Sequence, residues 1–165
     1  MNDDRRDGAV DTIRSFAELE QLVARWPDDV LFVRYSKGPD HDREEASIDY
    51  ESGLPLPGLS VNPLSPQWWW SRPIGDWLAR QLCMYAHLAG RDPERFAWVL
   101  TGTVVGRGPD NEPLVADHTP VAFVDDAVVE EAQRRYHERF AVGRDSTNTP
   151  RAQERGGVDV STPTN

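Results

Sequence analysis

Cysteine is nearly absent from the chain: Cys83 stands alone, so no internal disulfide can form. It sits among Leu82, Met84 and Tyr85 in a helical pattern, where a buried thiol is expected rather than a reactive nucleophile. Lysine is equally scarce, since of 18 basic residues only Lys37 is a lysine. Positive charge is in deficit overall, with 28 acidic residues against those 18 and a formal charge of -10. Such a surface repels phosphate backbones and anionic lipid, which excludes general nucleic-acid binding and membrane attachment by charge. No apolar run reaches the length of a membrane span, and the opening MNDDRRDGAV has no apolar core of a signal peptide; a soluble, cytoplasmic protein is expected. The histidines, His41, His87, His118 and His137, are scattered without zinc spacing, and no metal is expected. A P-loop, a G-x-G-x-x-G turn, an EF-hand loop and a G-x-S-x-G elbow are also missing.

What is present is a patterned middle between polar ends. The length of 165 residues suits one domain with its own core. Residues 1–12 read as a flexible N-terminus, 13–142 as a single domain and 143–165, poor in apolar residues, as a disordered tail. Ser15 and Glu18 have the spacing of a capping box before the stripe Phe16, Leu19, Leu22, Val23, and Trp26-Pro27 ends that helix. VLFVRYS (30–36) predicts a central strand, and GLSVN (58–62) a short one. Pro73 opens a helix carrying Ile74, Trp77, Leu78, Gln81, Leu82, Tyr85 and Leu88 at three- and four-residue steps. FAWVLTGTVVG (96–106) and PVAFV (120–124) read as strands, and DDAVVEEAQRRYHERFA as a final helix with acids leading and arginines trailing. The long polar stretch 37–57 is expected to be an excursion with a turn of helix near 43–48. The order α-β-β-α-β-β-α makes an α+β fold, a small mixed or antiparallel sheet with packed helices.

Four features carry possible chemistry. In GRGPDNEP (106–113), Gly108-Pro109-Asp110-Asn111 suits a type I turn between strand arms. Pro113 also pushes Glu112 toward extended geometry at what reads as a sheet rim, with Arg107 near enough to hold its carboxylate. Arg34 interrupts an apolar strand, so it must be paired, at a strand end or facing a cleft. It is either a structural ion pair with an acid in 40–51 or a bidentate anion clamp. Trp68, Trp69 and Trp70 are consecutive, and no single element can turn all three inward; one belongs in the core and at least one outside. The acids at 40–51 read as a solvated face.

Several whole phrases, FVRYSKGPD, DYESGLPLPGLSVNPL, RPIGDWLARQLCMYAHL and WVLTGTVVGRGPDNEPLV, resemble a bacterial domain family from GC-rich genomes that has no assigned function, over roughly residues 15–140. A second resemblance is mechanistic. The order of Arg34 in LFVRYS, Ser60 in GLSVN and Glu112 in DNEPLV, with Asp110 two residues before it, is similar to that of ADP-ribosyltransferases. The sequence departs from that pattern in lacking a Ser-Thr-Ser strand, in having Asp110 where a longer side chain is usual, and in following Arg34 with Tyr35. The resemblance implies NAD as co-substrate. Glu112 would stabilise an oxocarbenium-like ribose and Ser60 would orient the active-site strand, both as catalytic residues. Arg34, Tyr35, Lys37 and Arg107 would hold the dinucleotide. From another class, an interaction module of immunity or regulatory type would use Trp68–Trp70 and the acidic 40–51 loop to hold a basic protein. That reading expects an exposed tryptophan patch and no closed pocket joining Arg34, Ser60 and Glu112. The enzyme reading expects the Arg34 and Glu112 side chains to converge on one cleft.

Overall fold

The computed structural model describes residues 10–86 and 92–140. The expected tail, most of the expected N-terminal segment, and Leu88 at the end of the strongest helical stripe lie outside them. Among the described residues the order is β1 (Asp11–Ile13), α1 (Phe16–Arg25), β2 (Phe32–Ser36), α2 (Pro39–Glu44), β3 (Leu59–Ser60), β4 (Asn62–Pro63), α3 (Ile74–Ala86), β5 (Phe96–Arg107), β6 (Pro113–Val124) and α4 (Asp126–Phe140). This is an α+β fold on a mixed sheet, as the patterning predicts. The order differs in its details. Residues 11 and 12, expected to be loose, join Ile13 in a strand parallel to β6. Three residues, two of them polar, are too few for alternation to announce a strand. The helical turn of the excursion lies at 39–44 rather than 43–48, because Pro39 takes the first helical position after Gly38. The segments around Leu114 and Val121 are one long strand, and Pro120 is accommodated at a register shift.

Local chemistry sets the first helix. The Ser15 hydroxyl accepts from the Glu18 N–H at 3.2 Å, and the Glu18 carboxylate accepts from the Arg14 N–H at 2.8 Å. Phe16, Leu19 and Val23 are thereby turned into the core. Helices α1, α3 and α4 pack on one face of the sheet, over Val33, Tyr35, Ala97, Val99 and Val124. Leu19, Leu78 and Leu82 are fully buried there, and each such leucine contributes about 2 kcal/mol.

The other face is built differently. β2 lies between β5 and β4, and β5 lies between β2 and β6. Leu59 and Ser60 pair with β6 while Asn62 and Pro63, two residues later, pair with β2. One short segment therefore bridges two strands that β5 separates, and the sheet must curl strongly to allow it. Gly58 permits the approach: a Cβ there would lie 2.9 Å from the Val115 backbone. Inside the curl Phe32, Leu59, Val61, Trp98, Leu100 and Val115 form a second apolar cluster.

Candidate functional site

Strand alternation sends Phe32, Arg34 and Ser36 to the curled face and Val33 and Tyr35 to the helical face. Arg34 pairs across the ladder with Trp98. Helix α2 covers this face and aims Asp42 at it. The Arg34 Nε donates to Asp42 Oδ2 at 2.7 Å and Nη2 donates to Oδ1 at 3.2 Å, a bidentate pair. The third arm, Nη1, donates to the carbonyl of Ser60 at 2.8 Å. The Ser36 hydroxyl donates a short hydrogen bond to Asp42 and accepts from the Trp98 indole at 2.9 Å and from the Gly38 N–H at 3.2 Å. Asp42 is almost wholly enclosed, its side chain 3% exposed. Burial pushes its carboxyl up, but the hydrogen bonds and charge of Arg34 and the Ser36 hydroxyl outweigh it, and the carboxyl is held below its usual 3.8.

Ser60 links this network to the hairpin. Its hydroxyl donates to Glu112 Oε1 at 2.9 Å, and Glu112 Oε2 accepts from the Asp110 N–H at 2.9 Å. The turn forms as predicted: the Asn111 N–H donates to the Gly108 carbonyl at 3.0 Å, with Asn111 in the left-handed region. A side chain at Gly108 would meet the Glu112 carboxylate and have to displace it.

The structure thus joins Arg34, Ser60 and Glu112 in one hydrogen-bonded chain, and the arms of Arg34 are occupied within it. The other predicted ligand residues stand apart. Tyr35 is corrected: strand alternation places it in the helical core, on the face opposite Arg34, where burial first and Asp126 second raise its pKa. Lys37 reaches outward to Glu94 at 3.2 Å. Arg107 donates to the Asn111 carbonyl at 3.2 Å, while the Glu112 carboxylate is held by Ser60 and the Asp110 backbone. Nor does Glu112 begin an edge strand, because the Val61 N–H donates to Pro113 and β3 flanks β6 at Leu114 and Val115. Sequence reasoning left Asp42 undistinguished among the acids of 40–51. The available signal was Ser36 two residues after Arg34, on the same face, followed by a proline-started helix.

A cleft of about 520 Å³ opens beside α2, lined by Asp42, Glu44, Glu45, Gly58, Asp117 and His118 among others. Arg34, Ser60 and Glu112 are not among its lining residues. Nδ1 of His41 and Nε2 of His118 are buried without a hydrogen-bond partner. Among the described residues no group of three or more His, Cys, Asp and Glu is arranged to hold a metal, and no helix is long and apolar enough to cross a membrane. Cys83 is partly enclosed, and burial raises its thiol pKa, which works against thiolate chemistry.

The tryptophan run divides as a single backbone requires. Trp70 packs edge-on against Trp77 at 5.2 Å and donates its indole N–H to the Pro73 carbonyl at 3.3 Å. Arg72 lies over the Trp70 and Phe140 rings. Trp69 is 56% exposed and Trp68 93% exposed. The same loop is tied to the α1–β2 connection, where the Asp29 N–H donates to the Ser65 hydroxyl at 2.9 Å and the Leu64 N–H to the Leu31 carbonyl at 3.0 Å. Exposed Asp28 and Asp29 stand on that connection.

A family model of a family of unknown function, DUF6098, matches residues 6–148. The chain belongs to that family. The match extends beyond both ends of the stretch whose phrases suggested a bacterial family. No curated protein and no solved structure matches the chain, so the ADP-ribosyltransferase likeness rests on residue order alone.

Proposed function

We propose that this domain is a non-catalytic interaction module that binds a basic protein through Trp68 and Trp69. One observation carries the reading: two adjacent indoles stand in solvent on a loop whose next residue, Trp70, is pinned against Trp77. Trp69 leans edge-on against Trp70 at 6.3 Å and still leaves more than half of itself in solvent, and exposed tryptophans of this kind mark contact surfaces. Their rigid backbone lowers the entropy cost of binding. The net charge of -10 and the neighbouring Asp28 and Asp29 select a partner rich in arginine or lysine. Such cations also stack on indole faces.

A photo-crosslinking amino acid at position 68, in cells where the protein is native, tests this. A discrete adduct with a basic protein is expected, lost on Trp69→Ala. Absence of any adduct from position 68, with adducts from a control position on α4, contradicts it.

A second reading, an NAD-binding domain of ADP-ribosyltransferase type, is favoured by the connection of Arg34 to Glu112 through Ser60. It requires Arg34 to give up its internal partners to a diphosphate, and Glu112 to give up Ser60 to a ribose. Glu112→Gln would then spare binding and stop turnover.

A further inference from the structure

Helix α4 ends against the tryptophan loop, and its last turn is fastened there. The Phe140 ring lies 6.4 Å from the Trp70 ring and stacks on Tyr136 at 4.8 Å. Arg72 lies over the Phe140 ring at 4.2 Å and donates from Nη2 to the Arg139 carbonyl at 3.1 Å, satisfying one of the acceptors that a helix end leaves open. Two ring-to-ring steps, 6.4 and 6.3 Å, lead from Phe140 through Trp70 to the exposed Trp69. The chain continues from this point through residues 141–165 and carries three arginines there. Asp145 follows Arg144 and Glu154 precedes Arg155, so both have a counter-charge beside them. Arg151, directly after Pro150, has no acid within two positions on either side.

We propose that Pro150 and Arg151 occupy Trp68 and Trp69 in the free protein, so that a basic partner must displace the chain's own segment. This occupant regulates the surface assigned above and rests on that assignment. Reach fits. Arg151 lies eleven residues after Phe140, and a chain of that length spans on the order of 18 Å as a coil and about 36 Å when extended. The coil span is close to the separation to be bridged, the condition that gives a tethered ligand its highest effective concentration. Chemistry fits as well. A guanidinium stacks on an indole face, and a proline ring packs against aromatic walls. Exposed Asp28 and Asp29 stand on the connection that the Asp29 N–H ties to Ser65 of the tryptophan loop, so Arg151 finds there the acids its own neighbours lack. The segment thus offers the pair what a basic partner would offer. The same segment of a second copy would make these contacts at a far lower effective concentration.

The full chain, labelled with fluorotryptophan and free of any partner, is read by fluorine NMR, with the Trp68 and Trp69 signals assigned from Trp68→Phe and Trp69→Phe. Arg151→Glu should shift both signals and enlarge their response to heavy water toward that of a free indole, while the Trp77 and Trp98 signals stay in place. Arg151→Lys, which keeps the charge, should shift them less. Tenfold dilution of the unaltered protein should move neither signal. Trp68 and Trp69 signals that ignore Arg151→Glu overturn the proposal. So do signals that change on dilution, which would assign the contact to a second copy. The readout is independent of the crosslink in cells: shifts without an adduct there remove the partner, and an adduct without shifts removes only the contact of Pro150 and Arg151.

Discussion

The two faces of β2 solve the burial problem in opposite ways. Val33 and Tyr35 enter a helical core dominated by leucine, valine and alanine. One residue over, Arg34 and Ser36 enter a curl where an ion pair lies on the same face as an apolar cluster that includes Phe32, Trp98 and Leu100. The first face is held by many interchangeable contacts. The second is held by few groups of fixed direction, each satisfied by a named partner. A charged residue within an apolar strand therefore signals a fastening as readily as a binding site, and what separates the two is whether its hydrogen-bonding arms are spent inside the molecule.

Substitutions on the two faces sharpen the contrast. Asp42→Ala leaves Arg34 enclosed without its counter-charge and should cost the most, about 3–5 kcal/mol by urea denaturation. Joint replacement, Arg34→Met with Asp42→Leu, should recover most of that loss, because an apolar pair removes the desolvation cost on both sides. If the double variant is as unstable as Asp42→Ala, the pair is more than a fastening. On the helical face Leu78→Ala should cost about 3 kcal/mol, through lost burial and a cavity, and no single partner change should rescue it.

The same comparison has a pH signature. The Asp42 carboxyl titrates lower in the folded chain than its ordinary 3.8. Its contribution is therefore complete above about pH 4 and is lost as pH falls from there toward the folded-state value. Denaturation midpoints should fall steeply in that acid window, and Asp42→Asn should flatten the slope. Ser60→Ala, which frees one oxygen of a half-buried Glu112, should cost about 1 kcal/mol. Trp69→Ala should change stability by less than about 0.5 kcal/mol while abolishing the adduct formed from position 68, the smallest structural effect beside the largest functional one.

How far the sequence discloses this architecture depends on how local the signal is. The capping pair Ser15 and Glu18, the stripe of α3 and the Gly108–Asn111 turn are encoded within a few residues, and the structure contains all three. The contacts that define the curled face are not local. Asp42 finds Arg34 because α2 folds back over β2, and Glu112 finds Ser60 across 52 positions of chain. The order Arg34, Ser60, Glu112 hinted that the three meet, but a one-dimensional pattern cannot report that they meet by consuming one another's hydrogen bonds. β1 escaped notice because its stability comes from β6. The division of the tryptophan run followed from geometry alone, since consecutive side chains cannot share one direction.

The most direct test of the central claim, that Arg34 is committed to Asp42 and Ser60 while recognition lies at Trp68 and Trp69, is calorimetric titration of the protein with NAD. The account predicts no binding heat up to millimolar NAD. Micromolar binding that disappears in Arg34→Ala would contradict it and would place the chemistry on the curled face.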